Sequence, residues 1–148
     1  MDMHAIVVGT DGSSTAKGAV AYAANIARET GATLHLVHAV PNATAGAAMA
    51  AEAMAAGVVA QMAGEDRQRV RDLLDIERVE LTGQGLKVES HAVDGPAADA
   101  IVKVAEAVDA DMVVVGSKGM QGARRILGSV PNSVAHHAPC TVTIVKTC

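Results

Sequence analysis

The residues best suited to chemistry form a glycine-rich turn that follows an apolar run. The all-valine run 113–115 leads directly into segment 116–122, which reads GSKGMQG, and Gly128, Ser129 and Val130 follow it. Glycines expose backbone N–H groups, which together can bind phosphate oxygens. Ser129 opens a helical pattern, so the free amides of a helix N-terminus face the same region. The pattern predicts a site for an anionic ligand.

A second polar turn follows the first apolar run of the chain. The run 5–9 ends in Thr10-Asp11-Gly12-Ser13-Ser14, residue types that are typical of turns and helix N-caps. Asp11 and the serines would look the same if they only capped the next helix, because these residue types are preferred there in any protein. Beside a glycine-rich turn, an acid at the end of a strand gains a second role as acceptor for a ribose hydroxyl. We favour both roles for Asp11.

Strand and helix patterns alternate along the whole chain. They predict five strands, at 5–9, 33–40, 86–93, 111–115 and 141–146, and helices after the first strand and at 65–82, 97–108 and 129–137. The strands are too apolar for one face to meet water, which is typical of a parallel sheet covered by helices on both faces. The sequence therefore predicts one α/β domain over residues 1–148, with an open, Rossmann-like parallel sheet. Segment 43–63 is mostly Ala, Gly and Met, and we expect its first half to be mobile or poorly ordered.

Composition excludes several classes of partner. The net charge is -4 and Tyr22 is the only aromatic residue, which argues against a nucleic-acid surface. No apolar run is long enough to span a bilayer, and the first residues lack the order of a signal peptide. Cys140 and Cys148 are too few for a disulfide framework, as expected in a reducing compartment. We therefore expect a cytoplasmic protein without a membrane or nucleic-acid partner.

Catalytic patterns are missing from the sequence. No nucleophile with an adjacent base can be assembled, and the Gly-x-Ser-x-Gly elbow of acyl-transfer enzymes is absent. The glycine-rich turn also lacks the Gly-Lys-Ser/Thr ending that supplies a lysine and a magnesium-binding hydroxyl. Fast nucleotide hydrolysis is not expected.

The histidines are interpreted as structural. His136 and His137 are adjacent near the end of a predicted helix, where a favourable interaction with the helix dipole explains them better than a metal does. His35 and His38 fall on opposite faces of the second strand, and we expect both to be packed or hydrogen-bonded locally. The sequence thus predicts no metal site.

Three motifs together resemble those of the universal stress protein family. They are Gly-x-Asp-Gly-Ser after strand one, Gly-Ser-Lys-Gly after strand four, and Gly-Ser-Val-Pro-Asn-Ser-Val beyond it. The resemblance covers the whole chain and implies a strand order of 3-2-1-4-5, which places strands one and four side by side where the order reverses. Ligands of open parallel sheets bind at such a reversal. Many family members bind ATP there, and a related group prefers cyclic AMP.

The resemblance also implies roles for individual residues. Carried over by position, Asp11 would lie near the ribose, the backbone beside Ala39 would contact adenine, and Gly116 would be a further ribose neighbour. The phosphate cradle would be formed by Gly119, Gly128, Ser129 and Val130, and Thr10 would be a further nucleotide-binding residue. The family pattern has nine residues between its two cradle glycines, whereas only eight separate Gly119 from Gly128 in this chain. The implied ligand is ATP with Mg²⁺, or else cyclic AMP or AMP, and the implied role is a stress-response sensor or adaptor with at most weak ATPase activity.

Two further expectations concern partners. The last strand, within 141–147, would be an apolar sheet edge in a monomer, and such an edge favours pairing with a second copy of the chain. The rival to nucleotide binding is a protein-interaction module that has the same fold but binds no nucleotide. Its glycine-rich loop would be too short to bind a nucleotide, and its Ala/Met-rich segment would bind a protein partner of unknown identity.

Overall fold

Five strands and four helices make up the part of the chain that the structure describes. This computed structural model describes residues 2–40, 56–117 and 128–146, and side chains within 56–63 are left aside. The strands are β1 Ala5–Gly9, β2 Thr33–Val40, β3 Val88–Asp94, β4 Met112–Gly116 and β5 Thr141–Val145. The helices are α1 Ser14–Thr30, α2 Ala56–Gly83, α3 Ala97–Ala107 and α4 Ser129–His137.

The strands form one parallel sheet in the order β3-β2-β1-β4-β5. Successive strand residues point to opposite faces, so Ile6 and Val8 pack with α1 and α2, whereas Val7 packs with α3 and α4. Both faces are therefore buried, which explains why the strands are apolar without alternation. The predicted fold class and strand order are confirmed.

The turn before α1 is built by two different side chains. Ser13 is the N-cap, and its Oγ accepts a hydrogen bond from the amide of Ala16 at 3.2 Å. Asp11 instead accepts from the amide of Ser13 at 2.9 Å, an Asx turn that shapes the loop before the helix starts. The capping role expected of Asp11 therefore belongs to Ser13.

Several element boundaries differ from those expected. Helix α2 begins at Ala56, well before the predicted start at 65, because alanine-rich sequence supports a helix even where the apolar period is weak. Residues 43–55 of the segment expected to be mobile lie outside the described residues. β3 begins at Val88 and β4 at Met112, one or two residues later than predicted.

The side chain of Asp111, which lies just before β4, forms hydrogen bonds with the main chain at the start of β1. Its carboxylate accepts hydrogen bonds from the amides of His4 and Ala5, at 2.6 and 3.1 Å, and these bonds hold its pKa below the usual range. The start of β1 is thereby fixed to the start of β4, its neighbour in the sheet. Across residues 2–40, 56–117 and 128–146, no helix is both long and apolar enough to cross a membrane.

Candidate functional site

A crevice opens at the carboxyl ends of the strands, where the strand order reverses between β1 and β4. Its open volume is about 600 Å³, including the solvent-filled mouth. Five of the eight residues predicted for the site line it: Thr10, Asp11, Ala39, Gly116 and Val130. They come from four distant parts of the chain, so the sheet brings together what the sequence separates. An open crevice at the switch point of a parallel sheet is a common place for a ligand.

Asp11 lies at the crevice with one carboxylate oxygen uncommitted. Its Oδ1 accepts from the Ser13 amide, and within the described residues its Oδ2 has no hydrogen-bond donor. The side chain is exposed and is held by the turn around Gly12, whose φ of 78° favours glycine. Asp11 can therefore accept a hydrogen bond from a ligand hydroxyl without losing its own support.

Ala39 lies on β2 just beyond the end of β1. The pairing of the two strands ends with Gly9 opposite Val37, and the amide of Thr10 donates to the carbonyl of Val37 at 2.9 Å. Strand geometry directs the main-chain groups of Ala39 to the same side as those of Val37, where β1 no longer runs alongside. The N–H and C=O of Ala39 thus face the crevice and can pair with the edge of a planar ring.

The ends of the glycine-rich loop are held together at the carboxyl end of β4. Ser117 receives a hydrogen bond from the amide of Gly128 at 3.1 Å and donates its own amide to Val145 at 2.8 Å. The Gly128 amide is therefore occupied, although it was expected in the phosphate cradle. Ser129 and Val130 form the first turn of α4, whose amides have no acceptor inside the helix. Gly119 lies outside the described residues.

Glu77 is a neighbour of the site that the sequence did not reveal. The Thr10 hydroxyl lies 3.0 Å from the Glu77 carboxylate and donates a hydrogen bond to it across 67 positions of sequence. Burial against the sheet raises the pKa of Glu77, and the Thr10 hydrogen bond opposes the rise. Glu77 falls among the inward-facing positions of α2. An acidic residue at such a position was the one sign of this contact in the sequence.

The Glu77→Gln variant should be slightly more stable than the wild type at neutral pH, by less than about 1 kcal/mol, because solvent screens the charge of this half-buried side chain. Glutamine keeps an acceptor for Thr10 and carries no charge to bury. Because the pKa of Glu77 is raised, the folded state binds its proton more tightly, and wild-type stability falls as pH rises above the ordinary value of 4.5. The gain should disappear when urea unfolding is measured below that pH.

Glu65→Gln is the matched control for this variant, because Glu65 is exposed on the same helix and is not one of the charges that shift the pKa of Glu77. The fall in stability above pH 4.5 should persist in the Glu65→Gln protein. A difference for Glu77→Gln that is the same at acid and neutral pH would contradict the buried-carboxylate interpretation.

These observations define a doubly wound α/β protein with an open crevice at its topological switch point. The chain belongs to the universal stress protein family, whose family model matches residues 3–146. It is 31% identical over 144 residues to a universal stress protein of Methanocaldococcus jannaschii, covering 95% of this chain and 81% of the relative. The family expected from the motifs is thereby confirmed.

Solved structures agree with this assignment. The universal stress protein UspA from Lactobacillus plantarum superposes with a TM-score of 0.81 at 22% identity, over 98% of this chain and 99% of the other. A universal stress protein crystallised in complex with cAMP has a TM-score of 0.73 and 29% identity, with both chains fully covered. A third, from Archaeoglobus fulgidus in complex with dAMP, has a TM-score of 0.62 at 23% identity, over 99% and 100% of the two chains.

Proposed function

We propose that this protein binds an adenine nucleotide, ATP foremost, in the crevice between β1 and β4. It acts as a cytoplasmic stress-response sensor or adaptor with at most slow hydrolysis. The observation that carries the proposal is the meeting of Asp11, the main chain of Ala39 and the first turn of α4 around one crevice. The solved relatives in complex with cAMP and dAMP support the choice of an adenine nucleotide.

The base and the sugar would occupy the inner part of the crevice. Val37, Ile101 and Val115 are buried and give it apolar walls, which suit the faces of a purine. The main-chain N–H and C=O of Ala39 would pair with the edge of the adenine ring. Asp11 would accept a hydrogen bond from a ribose hydroxyl, as an acidic residue does in dinucleotide-binding folds.

The phosphates would lie toward the N-terminus of α4. The first-turn amides of Ser129 and Val130 and the positive end of the helix dipole favour negative charge there. Gly119 stays a predicted contributor. Mg²⁺ would arrive with the triphosphate, because this ion is usually held by phosphates, waters and at most a few carboxylates.

Binding fits the crevice better than catalysis does. Among its described lining residues there is no histidine, lysine or cysteine, and Asp11 is the single ionisable side chain. If Asp11 acted as a general base, a second group would still be needed to hold the attacking water in line with the phosphate. We therefore assign slow or no hydrolysis, and a role in which the bound state signals to a partner.

Titration calorimetry of the nucleotide-free protein tests the proposal. ATP with Mg²⁺ should bind at one site per chain and more tightly than cyclic AMP or AMP. Tighter binding of cyclic AMP would favour the second candidate function, a second-messenger receptor, because a shorter glycine loop leaves less room for a triphosphate. If no adenine nucleotide binds at millimolar concentration, the proposal is wrong. The alternative, a protein-interaction module that binds no nucleotide, is then favoured.

We also propose that β5 joins two copies of the chain. In the described sheet β5 pairs only with β4, and Ile144 is 37% exposed, so an apolar strand presents unpaired backbone groups at the edge. Ile144→Asp should shift the protein from dimer to monomer in sedimentation velocity. Val79→Asp, at an exposed apolar position on α2 and at the other end of the sheet from β5, should leave the dimer intact. A wild-type monomer at micromolar concentration would contradict this interface.

A further inference from the structure

Three potential metal ligands converge on one face of β2 and β3, away from the crevice. His35 on β2 lies opposite Glu89 on β3, and His91 follows two residues later, so all three side chains project to the same face. His35 Nδ1 is 3.0 Å from His91 Nε2 and 3.3 Å from a carboxylate oxygen of Glu89. One ligand atom from each residue lies within 4.8 Å of the others. None of the three lines the crevice.

The cluster of His35, Glu89 and His91 is buried on one side and open to solvent on the other. His35 is only 5% exposed, whereas the Glu89 side chain is 63% exposed. Helix α3 packs over β2 and β1 more than over β3, so the outer edge of this sheet face stays accessible. A metal ion can therefore enter from solvent and meet a histidine whose position is already fixed by packing.

Either ring nitrogen of a neutral imidazole can bind a metal ion. Burial lowers the pKa of His35 and of His91, and the Glu89 carboxylate only partly offsets this. A neutral imidazole has one protonated and one unprotonated nitrogen, and the proton can move to the nitrogen that faces away from the cluster. His35 Nδ1 and His91 Nε2 can then both offer lone pairs while each ring stays neutral.

Hydrogen bonding satisfies this cluster in one tautomer but not in the other. If His35 Nδ1 carries the proton, it has two acceptors, His91 Nε2 and the Glu89 oxygen, for a single N–H group. If His91 Nε2 carries it instead, His35 Nδ1 becomes an acceptor that faces a carboxylate oxygen. A cation placed between the three atoms would satisfy all of them at once.

The spacing also matches a metal with short bonds. A tetrahedral zinc ion with ligand bonds of about 2.0–2.1 Å holds its ligand atoms roughly 3.3–3.4 Å apart. Two of the three separations, 3.0 and 3.3 Å, are close to this value, and the third lies within 4.8 Å. We propose that His35, Glu89 and His91 form a binding site for a divalent transition-metal ion of the zinc class, with a solvent-facing fourth position. Two imidazoles and one carboxylate form a donor set that zinc accepts.

Cobalt titration of the chelator-treated, nucleotide-free protein tests this site, because Co²⁺ replaces zinc and reports its ligands by visible absorption. The wild type should bind Co²⁺ with the spectrum of nitrogen and oxygen ligands, and Zn²⁺ should displace it. His91→Gln and Glu89→Gln should each weaken binding by about 100-fold or more, since even outer-shell partners of a metal are worth about 10–100-fold. Both residues are more exposed than His35, so these variants should fold, as circular dichroism can verify.

His136→Gln is the matched control, because it removes an exposed histidine at the end of α4. Its affinity for Co²⁺ should equal that of the wild type. The proposal is overturned if the wild type binds no Co²⁺ at millimolar concentration, or if His91→Gln and Glu89→Gln bind it as tightly as the wild type. A thiolate-to-cobalt charge-transfer band would also overturn it, since the metal would then lie at a cysteine.

Discussion

The Ala39→Phe variant should bind ATP at least about 100-fold more weakly than the wild type, a loss of about 2.7 kcal/mol of binding free energy. Ala39 lines the crevice on β2, at the place assigned to the adenine ring. A phenyl ring there would occupy the apolar space between Val37 and Val115 and exclude a purine. Titration calorimetry measures the affinity, and circular dichroism reports whether the fold is kept.

Ala107→Phe is the matched control, because it adds the same ring at an exposed position on the last turn of α3. It should leave the affinity for ATP unchanged. If Ala39→Phe folds and binds ATP as tightly as the wild type does, the nucleotide site lies elsewhere.

Leu36→Ala should reduce the free energy of unfolding by about 2–5 kcal/mol. Leu36 is 0% exposed and belongs to the core that packs β1, β2 and β4 against α1 and α2. Its removal leaves a cavity under both helices, and close-packed neighbours can only partly fill it. A domain of this kind has a total stability of about 5–15 kcal/mol, so the loss should be plain in urea unfolding.

Ile76→Ala provides the contrast, because Ile76 on α2 is an apolar residue that is 65% exposed. Its removal should change the stability by less than about 0.5 kcal/mol. Similar losses for both variants would mean that α2 does not pack on the sheet as described.

The features predicted best from the sequence were those that follow from the composition of the strands and the geometry of a parallel sheet. The valine-rich strands needed two helical layers, and the turns after β1 and β4 could only meet at one end of a parallel sheet. Asp11 and the loop that begins at Gly116 were therefore expected at one crevice, and the family resemblance added Thr10 and Val130; all four residues line the crevice of the structure. The strand order came from the resemblance to a family, because apolar runs alone do not specify which strands are neighbours.

Contacts between distant side chains could not be read from the sequence. Glu77 and Thr10 are 67 positions apart, and His35 and His91 are 56 apart. His35 was expected to be packed or bonded locally; it is buried, but its partner lies on another strand. Such pairs depend on the register between β2 and β3 and on the rotation of α2 about its axis. Helical and strand periods carry no information on either quantity.

The hydrogen bond between Ser117 and Gly128 closes the base of the glycine-rich loop, so the proposed phosphate contacts would be separate from the stability of the fold. The ten residues between them form a segment whose two ends are already fixed to each other. Lengthening such a segment by one residue changes its closure entropy by only about 0.1 kcal/mol. An insertion could therefore bring the spacing between Gly119 and Gly128 to the nine residues of the family pattern, and a deletion could shorten it further. The sheet beneath would keep its register in both cases. Divergence among relatives in what they bind would then require no compensating change in the core.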